Sequence, residues 1–412
     1  MRIIAKHAAG KVLKSDGFQI SADAKLAKKK DSSIIDGTLG TFYFEDGSFK
    51  TFQVVHKIMN QLKDEDIYLY STSDGGPSFK EAILDWTFKD TRAEMEANLS
   101  IATIPTPGGT GALTSAVFNS LDPQETLLIP SPCWGPYVGI AVNRAFKIEK
   151  FFMFDGNAFN MKGFIEKCEK IIAAEGKLVT IINDPCNNPT GYNMTKAELE
   201  AVISYLNSKK DIPCVLIYDC AYIDMAVEGS KETRDKMLAF TKANENVLIS
   251  IAFSFSKTFF IYGQRLGGQI LLSKNKESVV EYYNAANFTA RNTWSNCNKG
   301  MIRVLEEMTK SPTLMAEYQS ELHEVIDTLQ TRADLFKQEA MQVGLELYPY
   351  HGGFFITIPC ENNMLILEKL VEEEKIYLLP FDNSVRVAIC SLPLSNIKGL
   401  AEKIHRVIQK YS

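Results

Sequence analysis

The chain has 412 residues, 45% of them apolar, which leaves room for two or three domains of about 100–200 residues with sizeable cores and excludes extensive disorder. Its 45 Lys and Arg against 50 Asp and Glu give a net charge of −5, so nucleic acid and anionic lipid have no obvious reason to bind and a small-molecule substrate is expected. No stretch approaches the ~20 apolar residues of a membrane span, and the lysine-dotted residues 1–30 lack an apolar signal core, so the expected location is cytoplasmic.

In chain order, a lysine-rich helical lead is followed by a glycine-rich stretch over 36–47 and an amphipathic segment over 54–62. From 101 to about 273, short apolar runs alternate with helical patterns, the signature of a mostly parallel sheet covered by helices. The predicted strands are 101–104, 126–129, 178–183, 214–219, 247–253 and 269–273; their length and β-branched content argue against buried helices. After Arg291 the pattern changes to long charged helices (298–308 and 313–343), short strands near 354–358 and 385–390, and a closing helix over 394–411. The expected organisation is therefore α/β: a large domain over 50–297, and a smaller α+β domain made of an N-terminal arm, 1–49, and residues 298–412. Eight scattered cysteines without a C-x-x-C pair and five histidines without an H-E-x-x-H pattern indicate neither disulfides nor a metal.

In an open parallel sheet, ligands bind beyond the carboxyl ends of the strands, so polar residues there come first. After the first strand, Pro107-Gly108-Gly109-Thr110-Gly111-Ala112-Leu113 leads into a predicted helix, either as a tight turn or as free N–H groups that hold a phosphate. It is no dinucleotide fingerprint, since Thr114 stands where G-x-G-x-x-G needs glycine. Asn187-Asn188-Pro189-Thr190-Gly191 reads as a plain turn or as an Asn188 side chain aimed at a bound ring. Asp219 closes a strand buried on both faces, with Tyr222 three residues on; it needs either a structural ion pair or a protonated heterocycle nitrogen. Lys257, among aromatics at the next strand end, is either a snorkelling lysine or an amine whose burial lowers its pKa and makes it a Schiff-base nucleophile. Arg265, before Gly267-Gly268, suits a phosphate or faces solvent. On the 385–390 strand Val385, Val387 and Ile389 share one face, and Arg386 shares the other with Ala388 and Cys390; small neighbours leave room for a carboxylate, unless Arg386 is an edge-strand residue facing water.

A phosphate-binding turn, an Asn and a Tyr flanking a ring, an Asp for a ring nitrogen, a Schiff-base Lys and a carboxylate-gripping Arg together describe a pyridoxal phosphate site. The order and wording of the motifs resemble class I aminotransferases of the aspartate type, in the fold-type I pyridoxal phosphate group. Gly109-Thr110-Gly111-Ala112-Leu113, Ser131-Pro132-Cys133-Trp134-Gly135, Asn188-Pro189-Thr190-Gly191, Asp219-Cys220-Ala221-Tyr222, Ser254-Phe255-Ser256-Lys257 and Arg265-Leu266-Gly267 occur in family order, over nearly the whole chain. The resemblance implies Lys257 as the Schiff-base lysine and proton shuttle, Asp219 on the pyridine nitrogen, Asn188 and Tyr222 on the phenolate oxygen, and Trp134 stacked on the ring. It implies Gly109, Thr110, Gly111, Ser254 and Arg265 around the phosphate, with Tyr70 reaching the phosphate of a neighbouring subunit in a homodimer. Arg386 would take the substrate α-carboxylate beside Gly40, and Phe354 would line the pocket; the Ser131-Pro132 and Asn188-Pro189 bonds are expected to be cis.

One departure bears on specificity. In aspartate-type members an arginine from the other subunit, followed by Tyr-Ser-Asn-Pro-Pro, grips the second carboxylate; here Arg291 is followed by Asn292-Thr293-Trp294-Ser295-Asn296-Cys297, so it serves a dicarboxylate or swings away for an aromatic side chain. The implied activity is ping-pong amino transfer from aspartate or an aromatic amino acid to a 2-oxo acid such as 2-oxoglutarate. A β-eliminating carbon–sulfur lyase, which uses similar Asp, Lys and Arg residues, is the alternative.

Overall fold

The structure, a computed structural model, describes residues 3–12 and 17–411; within the expected helical lead, residues 1–2 and 13–16 lie outside the described residues. The lead includes a helix over Gly17–Lys30.

Seven strands form the central sheet: β1 (Ser100–Thr106), β2 (Thr126–Ser131), β3 (Lys147–Phe152), β4 (Leu178–Asn183), β5 (Cys214–Asp219), β6 (Val247–Ser254) and β7 (Gly267–Ser273). Their spatial order is β1-β7-β6-β5-β4-β2-β3, with β7 antiparallel to both neighbours and all other pairs parallel. Six of the seven follow the apolar runs of the sequence. The seventh, β3, escapes that reading because it is an edge strand carrying Lys147, Glu149 and Lys150, charges that protect an open edge and mask the apolar run.

Alternate residues of the inner strands feed two cores. Leu128, Ile182, Leu216, Ile249 and Ile270 join one, and Leu127, Ile181, Ile217, Leu248 and Leu271 join the other, as the two-residue period of a strand buried on both faces requires.

A further core belongs to a smaller body around an antiparallel sheet of β8 (Phe355–Pro359), β9 (Leu379–Pro380) and β10 (Ser384–Ala388), in the order β8-β10-β9. A two-residue parallel pairing of Ile35–Asp36 with Ile376–Tyr377 ties the N-terminal segment to this body. The long helix Pro312–Val343 spans both: Tyr318, Leu322, Val325 and Leu329 join the first core, and Ala333, Phe336 and Ala340 the core of the smaller body. The cores thus divide inside this helix, whereas the sequence placed the division one helix earlier, at 298; the helix Lys299–Lys310 buries Met301, Ile302, Val304 and Leu305 in the first core.

Two local expectations differ from the structure. The strand expected over 385–390 ends at Ala388 and gives way to a single turn over Ile389–Ser391. The closing helix is broken into Leu394–Ile397 and Leu400–Tyr411, where Gly399 adopts φ +77°, a left-handed backbone that interrupts a helix and suits glycine. Among the described residues no helix is long and apolar enough to cross a membrane.

Candidate active site

The register of the central sheet sets Thr106 and Ser254 on either side of Gly267. The glycine-rich turn leaves β1 here and opens the helix α1 (Gly108–Ser120). Two glycines make the approach possible. Gly108 has φ +74°, and a Cβ on it would stand 2.3 Å from Arg265 Nη2; a Cβ on Gly267 would stand 2.4 Å from the carbonyl carbon of Gly108. Arg265, itself at φ +56°, donates from Nη1 to Ser256 Oγ (2.9 Å) and Tyr262 O (2.8 Å), and from Nη2 to Pro107 O (3.3 Å). Gly109 lies against Ser254, Thr110 is exposed at the rim, and Gly111 lies against the Pro107 ring. Free N–H groups of the first turn, hydroxyls and an exposed guanidinium converge, and this donor set fits a phosphate dianion.

Lys257 stands on the one-turn helix α2 (Phe255–Thr258) that follows β6. Its Nζ donates to Gly40 O at 2.8 Å and lies 4.6 Å from the Tyr262 ring, 5.5 Å from Phe354 and 5.6 Å from Tyr222. Burial among these rings, with the charges of Arg386 and Arg265 adding to it, pulls the amine pKa from 10.5 to about 8. A substantial neutral fraction near physiological pH suits a nucleophilic amine.

Asp219 closes β5 and is buried. Tyr137 donates its hydroxyl to Oδ2 at 2.5 Å and the Ala221 N–H donates to Oδ1 at 3.1 Å, yet burial outweighs both bonds and pushes the carboxyl up to about 6. With two neutral donors and, among the described residues, no cation in contact, this buried carboxylate is what a protonated ring nitrogen would complete. Tyr222, edge-on to Phe354, is buried and its phenol is driven well above 10.

Arg386 is buried on β10, opposite Thr357 of β8 and Leu379 of β9, and does not face water. Nor do only small side chains surround it: the guanidinium lies 3.9 Å from the Phe355 ring and 4.6 Å from the Phe381 ring. Nη1 donates to Asn188 Oδ1 at 2.9 Å and Nη2 to Thr38 O at 2.6 Å, while the buried Nε has no hydrogen-bond partner among the described residues. An oriented, desolvated fork with a donor to spare fits a carboxylate.

Gly40, Asn188, Asp219, Tyr222, Lys257, Phe354 and Arg386 are thus drawn together, with Gly109, Ser254 and Arg265 at the same strand ends. Trp134 stands beside them, edge-on to Tyr137 with ring centroids 5.5 Å apart. Tyr70 and Arg291 do not join the cluster within this chain: Tyr70 is 89% exposed, and the exposed Arg291 donates to Ser295 Oγ at 2.8 Å. Their two segments meet instead, through Ser71 Oγ and Cys297 O at 3.0 Å. Ser131-Pro132 and Asn188-Pro189 are cis, as expected, and so is Asp184-Pro185.

Sequence reasoning missed Tyr137, Ser256, Tyr262, Thr38 and Phe381. Ser256 lies inside the Ser254-Phe255-Ser256-Lys257 motif, and Tyr137 stands just past the Ser131-Pro132-Cys133-Trp134-Gly135 motif, in the first turn of the helix Pro136–Asn143. Nothing in the local sequence marks Thr38 or Phe381.

The model of the family described as aminotransferase class I and II matches residues 38–404. The aromatic-amino-acid aminotransferase of Escherichia coli K12 is 24% identical over 386 residues, covering 92% of this chain and 94% of its own. The aspartate aminotransferase of Pseudomonas aeruginosa is 22% identical over 381 residues, covering 90% and 92%. Among solved structures, an aminotransferase from Anaerococcus prevotii is similar with a TM-score of 0.94 at 29% identity, over 99% of this chain and 100% of that one. The aromatic-amino-acid aminotransferase of Burkholderia pseudomallei, covalently bound to pyridoxal phosphate, shares the fold with a TM-score of 0.80 at 21% identity, over 98% and 100%.

Proposed function

Because the chain belongs to the aminotransferase class I and II family, we propose that it uses pyridoxal phosphate to move an amino group from an L-amino acid, aspartate or aromatic, to a 2-oxo acid such as 2-oxoglutarate, in two half-reactions. The observation that carries this reading is Lys257: a buried amine with a lowered pKa, set among aromatic rings and near the guanidinium groups of Arg265 and Arg386. Pyridoxal phosphate, when bound, supplies an aldehyde carbon for an amine and a protonated ring that withdraws electrons from the substrate Cα.

The residues divide the remaining work. The first turn of α1, Ser254, Ser256 and Arg265 hold the phosphate; Asp219, oriented by Tyr137, keeps the ring nitrogen protonated. Asn188 and Tyr222 would serve the ring's phenolate oxygen, and Trp134 would offer it an aromatic surface. Arg386 takes the substrate α-carboxylate, its plane fixed between Phe355 and Phe381. Lys257 Nζ, buried beside the Tyr222, Tyr262 and Phe354 rings, would be the base that takes and returns the substrate's Cα proton.

A homodimer accounts for Tyr70 and Arg291, both exposed in the single chain, as residues that serve the second subunit's site. Single amino acids mixed with the cofactor-loaded protein, without acceptor, give the test through the visible absorbance of the cofactor. Conversion to the amine form that stops at one equivalent and resumes when a 2-oxo acid is added is the expected result. Continuous acceptor-free release of pyruvate would overturn it in favour of β-elimination. Faster conversion by aspartate than by phenylalanine or tyrosine assigns Arg291 to the second carboxylate; the reverse order assigns the aromatic class.

A further inference from the structure

Arg386 is seated from two sides by contacts of different kinds. On one side the 187–193 loop of the large body is bonded through its backbone. Gly191 O accepts from the N–H groups of His351 (2.8 Å) and Gly352 (3.1 Å), Pro189 O accepts from Thr357 Oγ1 (2.5 Å), and Asn188 receives the guanidinium itself. On the other side the 381–383 turn, between β9 and β10, reaches the large body through one side chain. Asp382 Oδ2 accepts from Ser131 Oγ at the end of β2 (2.9 Å), and its Oδ1 pairs with Lys150 of the edge strand β3. The same residue's carbonyl accepts from Asn363 Nδ2, and its backbone sits at φ +46°, a left-handed conformation unfavourable for a residue other than glycine unless its surroundings hold it. Phe381, its immediate neighbour, is the ring 4.6 Å from the Arg386 guanidinium.

We infer that Asp382 is a positioning residue for carboxylate binding: its bonds to Ser131 and Lys150 hold the 381–383 turn on the large body and thereby keep Phe381 against Arg386. The inference rests on the aminotransferase reading, in which Arg386 is the substrate's carboxylate site. The pair is about a third exposed (35% for Lys150 and 30% for Asp382), so the latch is releasable, worth about fivefold in affinity at most. Among the described residues Asp382 bonds to Ser131, Lys150 and Asn363 and not to Lys257 or the phosphate cradle, so its loss acts on binding and leaves the proton transfer alone.

The test compares cofactor-loaded wild type with Asp382→Asn, Lys150→Met and the double variant. Asparagine tolerates a left-handed backbone at least as well as aspartate, so Asp382→Asn removes the charge and spares the turn; Lys150→Met removes the partner from a surface strand. The measurements are kcat and KM for the amino donor and, by calorimetry, the Kd of succinate and of 3-phenylpropanoate, carboxylates with no amino group to react. The expected result is a roughly threefold to fivefold rise in KM and Kd in each single variant, no further rise in the double variant, and kcat unchanged. Unchanged KM and Kd, a fall in kcat at constant KM, or effects that add in the double variant would each overturn it. Wild-type protein that transfers no amino group would refute the aminotransferase reading, and the carboxylate Kd values would still decide for or against Asp382.

Discussion

Asp219 carries its carboxyl at a cost to the fold. Its pKa rises from 3.8 to about 6 in the folded chain because burial outweighs the bonds from Tyr137 and Ala221. Between those values the folded protein binds more protons than the unfolded one, so the stability of the cofactor-free protein falls as pH rises through that window, by about 3 kcal/mol once pH exceeds 6. Asp219→Asn is therefore expected to raise the Tm of cofactor-free protein at pH 8, to change it little near pH 4, and to abolish amino transfer; a lower Tm at pH 8 would show that the carboxylate stabilises the fold. Lys257 is displaced in the direction that frees its amine. In cofactor-free protein its modification by an amine-reactive reagent, followed by mass spectrometry, should have a midpoint near pH 8, well below the 10.5 of an ordinary lysine. A midpoint near 10.5 would mean that the surrounding rings do not desolvate it. Under the proposed function Lys257 is both nucleophile and proton carrier, so Lys257→Ala should abolish turnover while absorbance after gel filtration still shows retained cofactor; normal turnover would refute that role.

At the scale of elements, the cradle exists because three strand ends stand level and the turn between β1 and α1 has no Cβ to keep them apart. Gly108→Ala would force a methyl to within 2.3 Å of Arg265 Nη2 at a backbone angle of +74°. Stability should fall by about 1 kcal/mol or more, and the cofactor Kd, followed by fluorescence titration, should rise because Arg265 must leave its bond to Ser256. Unchanged cofactor affinity in that variant would remove Arg265 from the phosphate site. The strands that build this end were legible as apolar runs, since residues buried on both faces leave an unbroken signal. Edge strand β3 and the break at Gly399 were not, because charge on an edge and a single glycine in an amphipathic run resemble an ordinary helix surface.

For the whole molecule, the relation between the two bodies depends on buried cations as well as apolar contact. Arg332 lies in the helix Pro312–Val343 at the point where the cores divide, and its fully buried side chain donates to Tyr43 O (2.9 Å), Cys390 O (3.0 Å) and Glu45 Oε1 (2.8 Å). It thus joins the helix to the N-terminal segment and to the turn Ile389–Ser391 that follows β10. Arg332→Met should lower stability by about 3 kcal/mol, since these acceptors and Ile389 O lose a buried donor; a Tm equal to that of wild type would contradict this role. Association is expected to complete the site, with Tyr68, Leu69, Tyr70 and Phe288 exposed on the single chain. Specific activity should therefore fall on dilution in step with dissociation measured by sedimentation, and a fully active monomer would sink the shared-site proposal.

The order of elements, the buried strands and the chemistry at their ends were determined by the sequence, because periodicity reports which face of a segment is buried and a polar residue closing an apolar strand has few innocent explanations. Asp219, closing a strand, and Lys257, just beyond one, could be singled out on that ground and Arg386 from the alternation of its strand, while their roles came from the order of the motifs taken together. Which groups oppose them was decided only by the tertiary structure. Thr38 O and Asn188 on Arg386 are 348 and 198 residues away in the chain, Gly40 O on Lys257 is 217 residues away, and Tyr137 on Asp219 is 82. A hydrogen bond between segments so distant leaves no periodic trace in either one; it exists because the strand register and the packing of the two bodies bring those atoms within 3 Å.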